Sequence, residues 1–273
     1  MNESNRITLT IVGLDKDNGD VELKAFLNQL DLFKKTLDET KRVLIGDDPA
    51  NKVAYFKLVD LTHKSPARLV FEAVPITEKD TEKATALVDK LFNSIEEIDE
   101  GKIPRGFDYQ AFEAYKNLPK LVVTKRIERI AITRNGDKPK PIETLPGKID
   151  VILGPDEVES GSATGRLEYL NLHGNLNVFN IYPPHRLPKI KCRFPKSLRA
   201  DVIRAIDKNV MVFGEKKFKP NIKDYHPYEM KAESIEILPD ENLPKLGDLK
   251  GIAPKATGDK SSEEFIRGLR DGW

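Results

Sequence analysis

With 273 residues, the chain is too long for one small hydrophobic core, and we expect two domains. Hydrophobic residues make up 39% of the sequence and charged residues 33%, which excludes a wholly disordered chain. The single cysteine, Cys192, excludes an intramolecular disulfide. The sequence has no signal-peptide pattern at its start and no run of about 18 apolar residues, so we expect a cytoplasmic protein without membrane contact.

The net charge of +1 conceals an uneven distribution of charge along the chain. Residues 1–100 contain 20 acidic and 14 basic side chains, a net charge of −6. Residues 186–223 contain 12 basic and 3 acidic side chains, a net charge of +9. Such a basic segment can attract polyanions even when the whole chain is nearly neutral, although a solvated lysine-rich surface has the same composition.

Residues 1–103 have the pattern of an α+β domain. Alternation of apolar residues predicts a strand over residues 6–14, and two further strands are expected over residues 53–60 and 68–74. Two long helices are predicted by apolar stripes at three- and four-residue spacing, namely Leu23, Phe26, Leu27, Leu30, Phe33 and Leu37, and then Ala84, Leu87, Val88, Leu91, Ile95 and Ile98. The order β-α-β-β-α indicates an antiparallel sheet with both helices on one side.

Residues 104–154 are interpreted as a connecting module. A short helix is expected over residues 108–117, then a strand over residues 126–133, with Asn135-Gly136 as a hairpin turn. Three prolines within residues 138–147 end the region. The strands of this module join either the first domain or the domain that follows.

Residues 155–240 have the element order β-β-β-α-β-β of an OB-like five-stranded barrel, and an SH3-like barrel is the alternative. The predicted elements are strands over residues 165–172, 177–182, 189–194, 209–213 and 231–238, with a helix over residues 197–206. Residues 161–165 (GSATG) are expected to form a tight loop before the first of these strands. Gly165 and Gly214 lie where a small barrel needs sharp bends or bulges.

No catalytic, metal or cofactor site is predicted. The sequence has no HExxH, CxxC, GxxxxGK[ST], GxGxxG before a helix, or GxSxG pattern. Its four histidines, His63, His173, His185 and His226, show no metal-ligand spacing. We therefore expect a binding protein and not an enzyme.

The barrel carries a candidate site for single-stranded nucleic acid, which is the alternative function. Lys189, Lys191 and Arg193 alternate along one predicted strand, so their side chains project from the same face. The remaining candidates are Lys216, Lys217, Phe218 and Lys219, expected in a loop after the fourth strand, with Tyr182, Tyr225 and Tyr228 as nearby rings. OB-folds stack bases on aromatic side chains above a basic groove. In the opposing interpretation the rings fill the barrel and the lysines only keep it soluble.

Residues 241–273 are predicted to form an extended tail that docks on a partner. After a flexible stretch over residues 257–262 comes a short amphipathic segment, SEEFIRGLR. A helix of this length is only marginally stable alone in water, so it needs a surface on which to dock.

The sequence LPKLGDLKG of residues 243–251, followed by residues 262–273, resembles the tails of bacterial toxin-neutralising antitoxins. That resemblance implies docking on a toxin such as a PIN-domain ribonuclease, with Arg267 or Arg270 reaching its acidic metal site. It also implies that Phe265, Ile266, Leu269 and Trp273 are anchors. The preceding residues depart from the family, which has a compact ribbon or AbrB-type DNA-binding domain. Antitoxin-like neutralisation is the leading hypothesis, and a tail folded onto its own barrel is the alternative.

Overall fold

The computed structural model describes residues 5–46, 53–62, 66–134, 137–174, 176–184, 187–222 and 226–239, together with Ser261 and Arg267. In the N-terminal part, the elements are β1 (Arg6–Val12), α1 (Leu23–Ile45), β2 (Ala54–Thr62), β3 (Ala67–Pro75), α2 (Thr81–Asp99), α3 (Tyr109–Asn117), α4 (Lys120–Val123), β4 (Arg129–Arg134), β5 (Lys140–Pro141) and α5 (Leu145–Leu153). The barrel contains β6 (Glu157–Asn171), β7 (Val178–Tyr182), β8 (Ile190–Arg193), α6 (Arg199–Arg204), β9 (Asn209–Phe218) and β10 (Glu229–Ile237). This architecture confirms the predicted α+β class.

The N-terminal sheet has the strand order β2-β3-β1-β4-β5, with every neighbouring pair antiparallel. Its central strand β1 buries Ile7, Leu9 and Ile11 completely, as the alternation of the sequence predicts. The predicted stripe of α2 packs on that face, with Leu91 fully buried. The predicted stripe of α1 is only partly correct: Phe33 and Leu37 are buried, whereas Leu23 and Leu27 are 71% and 54% exposed, because the buried face of α1 also includes Ala25, Gln29, Thr36 and Thr40. Burial of these apolar side chains is the main stabilisation of the domain.

The connecting module belongs to the N-terminal domain. Strand β4 pairs along the free side of β1, and both α3 and α5 contribute side chains to the same hydrophobic core. Helix α5 lies where the three prolines predicted only a connection. Pro146 is tolerated there because it occupies the first turn, where backbone N–H groups have no helical partner. The hairpin turn predicted at Asn135-Gly136 falls outside the described residues.

The barrel closes in the strand order β10-β8-β7-β6-β9, with β9 also paired to β10. Strands β8 and β10 are parallel, and all other neighbours in the barrel are antiparallel. Its core contains Leu167, Phe179, Ile181, Cys192 and Val212. The third barrel strand pairs with the fifth, and the fourth pairs with the first. This is the connectivity of an OB-like barrel.

The first and fourth barrel strands are longer than predicted. The expected tight loop over residues 161–165 is wrong, because these residues lie inside β6 and pair with β9 from Gly161↔Gly214 to Gly165↔Val210. Residues Lys216 and Lys217 likewise lie in β9 and not in a loop after it. The outer half of β6 is exposed on both faces, so it has no apolar alternation that would mark it as a strand.

Gly214 adopts a backbone conformation that L side chains rarely adopt, beside a bulge in the β9–β10 pairing. Its φ is +153°, and the register shifts between Ala232 and Ser234 on the opposite strand. A Cβ atom at this position would lie 2.0 Å from the carbonyl oxygen of Lys231. The barrel can therefore close tightly here only with glycine.

We predict that Gly214→Ala destabilises the protein by at least about 1–3 kcal/mol, since it adds backbone strain to a direct clash. Gly147→Ala is the matched control, because a Cβ there meets no atom within 4 Å and alanine favours the helix α5. Urea unfolding of both variants measures the difference. Equal unfolding midpoints for G214A and the wild type would contradict this account of barrel closure.

Candidate binding cleft

The connection between β9 and β10 fastens the barrel to the N-terminal domain. Lys219 Nζ donates to the carbonyl oxygen of Gly154 at 2.8 Å and lies 2.6 Å from Asp156 Oδ1. Asn221 Nδ2 donates to the carbonyl oxygen of Ile152, at the end of α5, at 2.8 Å. Ile222 is 8% exposed and belongs to the N-terminal core. A loop of one domain is thus packed into the other.

Two tyrosines, one from each domain, extend this junction. The rings of Tyr109 on α3 and Tyr228 are stacked, with centroids 3.8 Å apart and planes 21° from parallel. Burial, and next the neighbouring Asp156 carboxylate, raises the pKa of the Tyr228 hydroxyl above its ordinary value. Burial raises the pKa of Tyr109 to about 12, and the negative charge of Glu113 is the next largest cause. Both rings therefore remain neutral, and the stack is a rigid apolar contact.

A cleft of about 680 Å³ lies beside this junction, with one wall from the barrel and one from the N-terminal domain. The barrel wall is formed by Tyr169, Asn171, Leu176, Val178, Asn180, Tyr182, Pro188, Lys189, Lys191 and Arg193. The opposite wall and the base are formed by Asp108, Tyr109, Gln110, Glu113, Lys219, Ile222, His226, Tyr228 and Glu229. Its volume is in the range of small-ligand sites.

Strand alternation determines which side chains the barrel presents to the cleft. Ile190 and Cys192 point into the barrel core, so Lys191 and Arg193 point outward. Residues of neighbouring strands are in register across this face, with Tyr169 opposite Asn180 and Asn180 opposite Lys191. An aromatic ring, an amide and a cation therefore form one row across β6, β7 and β8.

The cations on this wall differ in how strongly they are engaged. Arg193 Nε lies 3.0 Å from Glu229 Oε2, and Lys217 Nζ lies 3.5 Å from the other oxygen of that carboxylate. Lys189 and Lys191 form no ion pair within the part of the chain that the structure describes. These two ammonium groups are the ones available to an anion in the cleft.

Only some of the predicted nucleic-acid residues lie in the cleft. Lys189, Lys191 and Arg193 meet there, as the alternation predicted. Phe218 is only 3% exposed, which contradicts its expected contact with a ligand, because its ring packs inside the protein with Lys216 Nζ 5.5 Å from the ring centroid. Lys219 lines the cleft but is held by the Asp156 carboxylate, so its role is structural.

The N-terminal wall contains residues that no pattern in the sequence predicted. Gln110 and Glu113 are three residues apart on α3, so they share a helix face, and both line the cleft. Tyr169 was also missed, and it is 46% exposed on β6. No local pattern marks these residues, because they become neighbours of the lysines only when the two domains pack.

Cys192 and His226 have structural roles in the described part of the chain. The Cys192 side chain is fully buried, and burial raises the pKa of its thiol above the ordinary value. His226 Nε2 lies 2.7 Å from the carbonyl oxygen of Pro188, whereas His63 and His185 fall outside the described residues. Among the residues that the structure describes, no cluster of three or more His, Cys, Asp or Glu side chains is arranged for a metal ion.

The predicted docking tail falls almost entirely outside the described residues. Ser261 and Arg267 are the exceptions, and Arg267 is helical and exposed. Phe265, Ile266, Leu269, Arg270 and Trp273 are not among the described positions, and neither is the ring of Tyr225.

Comparison of the chain with protein-family models, curated proteins and solved structures finds no match. Over the described ranges, no helix is both long enough and apolar enough to span a bilayer. Inferences about function therefore rest on the chemistry of the cleft and on the sequence of the tail.

The junction makes a testable contribution to stability through Asp156. Burial raises the pKa of its carboxyl, but the neighbouring Lys219 ammonium, followed by the Tyr228 hydroxyl, outweighs burial, so the pKa lies below its ordinary value. A carboxyl whose pKa is lowered by folding stabilises the protein fully above the unfolded value of about 3.9 and loses that effect as the pH falls through the folded value.

We predict that Asp156→Asn lowers the free energy of unfolding at pH 7 by about 1–2 kcal/mol, since a charge-assisted hydrogen bond is removed. The difference from the wild type should shrink as the pH falls from about 5 to about 3. Asp17→Asn, at an exposed aspartate outside the junction, serves as the control. Urea unfolding across this pH range measures both, and a difference that stays constant throughout would contradict the assignment.

Proposed function

We propose that the chain is a non-enzymatic binding protein that holds single-stranded nucleic acid in the cleft between its two domains. The observation that carries the proposal is the row of Tyr169, Asn180 and Lys191 across three barrel strands. It combines a ring on which a base can stack, an amide that can hydrogen-bond it and a cation for the adjoining phosphate. These are the contacts by which OB-folds bind single strands, on the same face of the barrel.

The charges of this wall favour a polyanion over a neutral ligand. Lys189 and Lys191 lie close together in sequence, line one cleft and have no carboxylate partner in the described part of the chain. Two unpaired ammonium groups attract a phosphodiester chain and release its counterions on binding. A neutral oligosaccharide, the other common OB-fold ligand, would gain nothing from them.

The aromatic side chains of the wall suit an unpaired strand better than a duplex. Tyr169 is 46% exposed and Tyr182 is 37% exposed, and both line the cleft. Stacking on such a ring requires a base that has left its double helix. The N-terminal wall opposite them leaves a cleft and not an open surface.

We predict that the double variant Lys189→Glu/Lys191→Glu binds a fluorescent octathymidylate at least about tenfold more weakly than the wild type at about 50 mM NaCl. The dependence of affinity on salt should also weaken, by about 0.7 in logarithmic slope for each phosphate that the protein no longer neutralises. Replacing Tyr169 or Tyr182 with alanine should weaken binding by about five- to 150-fold, which corresponds to about 1–3 kcal/mol of stacking.

Matched controls exist on the N-terminal sheet. Lys57→Glu makes the charge change of one of the two cleft substitutions at an exposed strand position, and Tyr55→Ala removes a ring that is 52% exposed there. Neither residue lines the cleft, so both variants should bind like the wild type. Absence of any wild-type affinity for the octamer at low salt would end the proposal.

A second candidate function is neutralisation of a partner protein through the tail. It is supported by the resemblance of residues 243–273 to antitoxin tails and by Arg267, which is helical and exposed. A guanidinium suits a carboxylate cluster such as the metal site of a PIN-domain ribonuclease. This function involves different residues from the cleft, so the two proposals do not compete.

We predict that the chain truncated after residue 256 no longer co-purifies with a PIN-domain ribonuclease encoded in an adjacent reading frame, whereas the full chain does. Arg267→Ala and Arg270→Ala should relieve inhibition of that ribonuclease, because they remove the charge that reaches its acidic site. Arg199→Ala, at an exposed arginine of α6, is the control. A truncated chain that still binds and inhibits the enzyme would contradict the proposal.

A further inference from the structure

The two walls of the cleft carry opposite charge. On the barrel side, Lys189 and Lys191 are unpaired in the described residues, whereas Glu113 on the α3 side is exposed and likewise has no cationic partner there. The carboxylate also lies near enough to Tyr109 to raise the pKa of its hydroxyl, second only to burial. The cleft is therefore polarised from one wall to the other.

This polarity determines how a nucleotide can lie in the cleft. A phosphate is attracted by the two ammonium groups and repelled by the Glu113 carboxylate, so the backbone of the strand follows the barrel wall. The base then extends toward α3, with its ring near Tyr169 and its polar edge facing Glu113 and Gln110. The reverse orientation would bring two like charges together.

An ionised carboxylate accepts hydrogen bonds and donates none. Guanine alone presents two adjacent donors on its Watson–Crick edge, the N1–H and the amino group, and these match both oxygens of one carboxylate. Cytosine and adenine each present an amino group beside an acceptor nitrogen, while thymine and uracil present one N–H between two carbonyl oxygens. A carboxylate facing the base edge therefore favours guanine over the other bases.

We propose that Glu113 makes the cleft selective for guanine, with the phosphate of the same nucleotide held by Lys189 and Lys191. This inference rests on the proposed function of the cleft and names the base that it selects. Glu113 is a specificity residue contributed by the N-terminal domain to a site on the barrel. The two domains then form one binding site.

The test uses the full chain and four fluorescent octamers, octathymidylate itself and versions with one central dG, dA or dC, measured by anisotropy at about 50 mM NaCl. We expect the dG octamer to bind about five- to 150-fold more tightly than the other three. Glu113→Gln should reduce that preference to within about twofold and raise the affinity for octathymidylate, because it removes the carboxylate that repels phosphate. The variant should fold normally, because the position is exposed and glutamate and glutamine are both good helix formers.

Glu128→Gln, at an exposed glutamate that does not line the cleft, should retain the preference for dG. Equal affinity of the wild type for all four octamers, or a dG preference that survives E113Q, overturns the guanine assignment and leaves the proposed function standing. Failure of every octamer to bind overturns both. Competition with GMP separates the two sources of guanine, since displacement by GMP as strong as by the unlabelled dG octamer identifies a free nucleotide as the ligand.

Discussion

The architecture of this protein depends on one anchored loop. The connection between β9 and β10 closes the barrel and is at the same time fixed to the end of α5 by Lys219 and Asn221, with Ile222 in the N-terminal core. A barrel joined to its neighbour only by a linker would be free to rotate, and relative motion is the default for weakly packed domains. Here a buried apolar side chain and charge-assisted hydrogen bonds fix the relative position of two cores that are otherwise separate.

The cleft is a consequence of that anchoring. The barrel face that carries Tyr169 and Lys191 would be an open surface by itself, and α3 converts it into a cleft. The stacked pair of Tyr109 and Tyr228 lies where the two walls meet, so the spacing of the walls depends on a rigid contact between rings. Preorganised walls lower the entropy that a ligand loses on binding. A chemically mixed site thus arises from two domains, with Lys189, Lys191 and Glu229 from the barrel and Glu113 from α3.

Local patterns in the sequence predicted most of the fold but less of the site. The alternation of Ile7, Leu9 and Ile11 and the apolar spacing in α1 and α2 predicted one strand and two helices, but in α1 the predicted stripe includes Leu23 and Leu27, which are exposed. Helix α5 was missed because prolines were interpreted as breaks, and the outer half of β6 because it is exposed on both faces. Strand periodicity predicted that Lys189 and Lys191 share a face. It could not predict Glu113, whose position opposite them depends on contacts between residues far apart in the chain.

Fewer basic residues are available to a ligand than the sequence contains. Residues 186–223 have a net charge of +9, yet Lys219 is held by Asp156 and Arg193 by Glu229, while Lys216 lies over the ring of Phe218. The N-terminal domain adds little long-range attraction, because the net charge of −6 over residues 1–100 is nearly offset by 11 basic and 6 acidic side chains over residues 101–154. Attraction is therefore confined to ligands that enter the cleft with a phosphate facing the barrel wall and a donor-rich base edge facing α3. Such a site gives up some affinity for polyanions in general, and the carboxylate that repels a misplaced phosphate is the source of its selectivity.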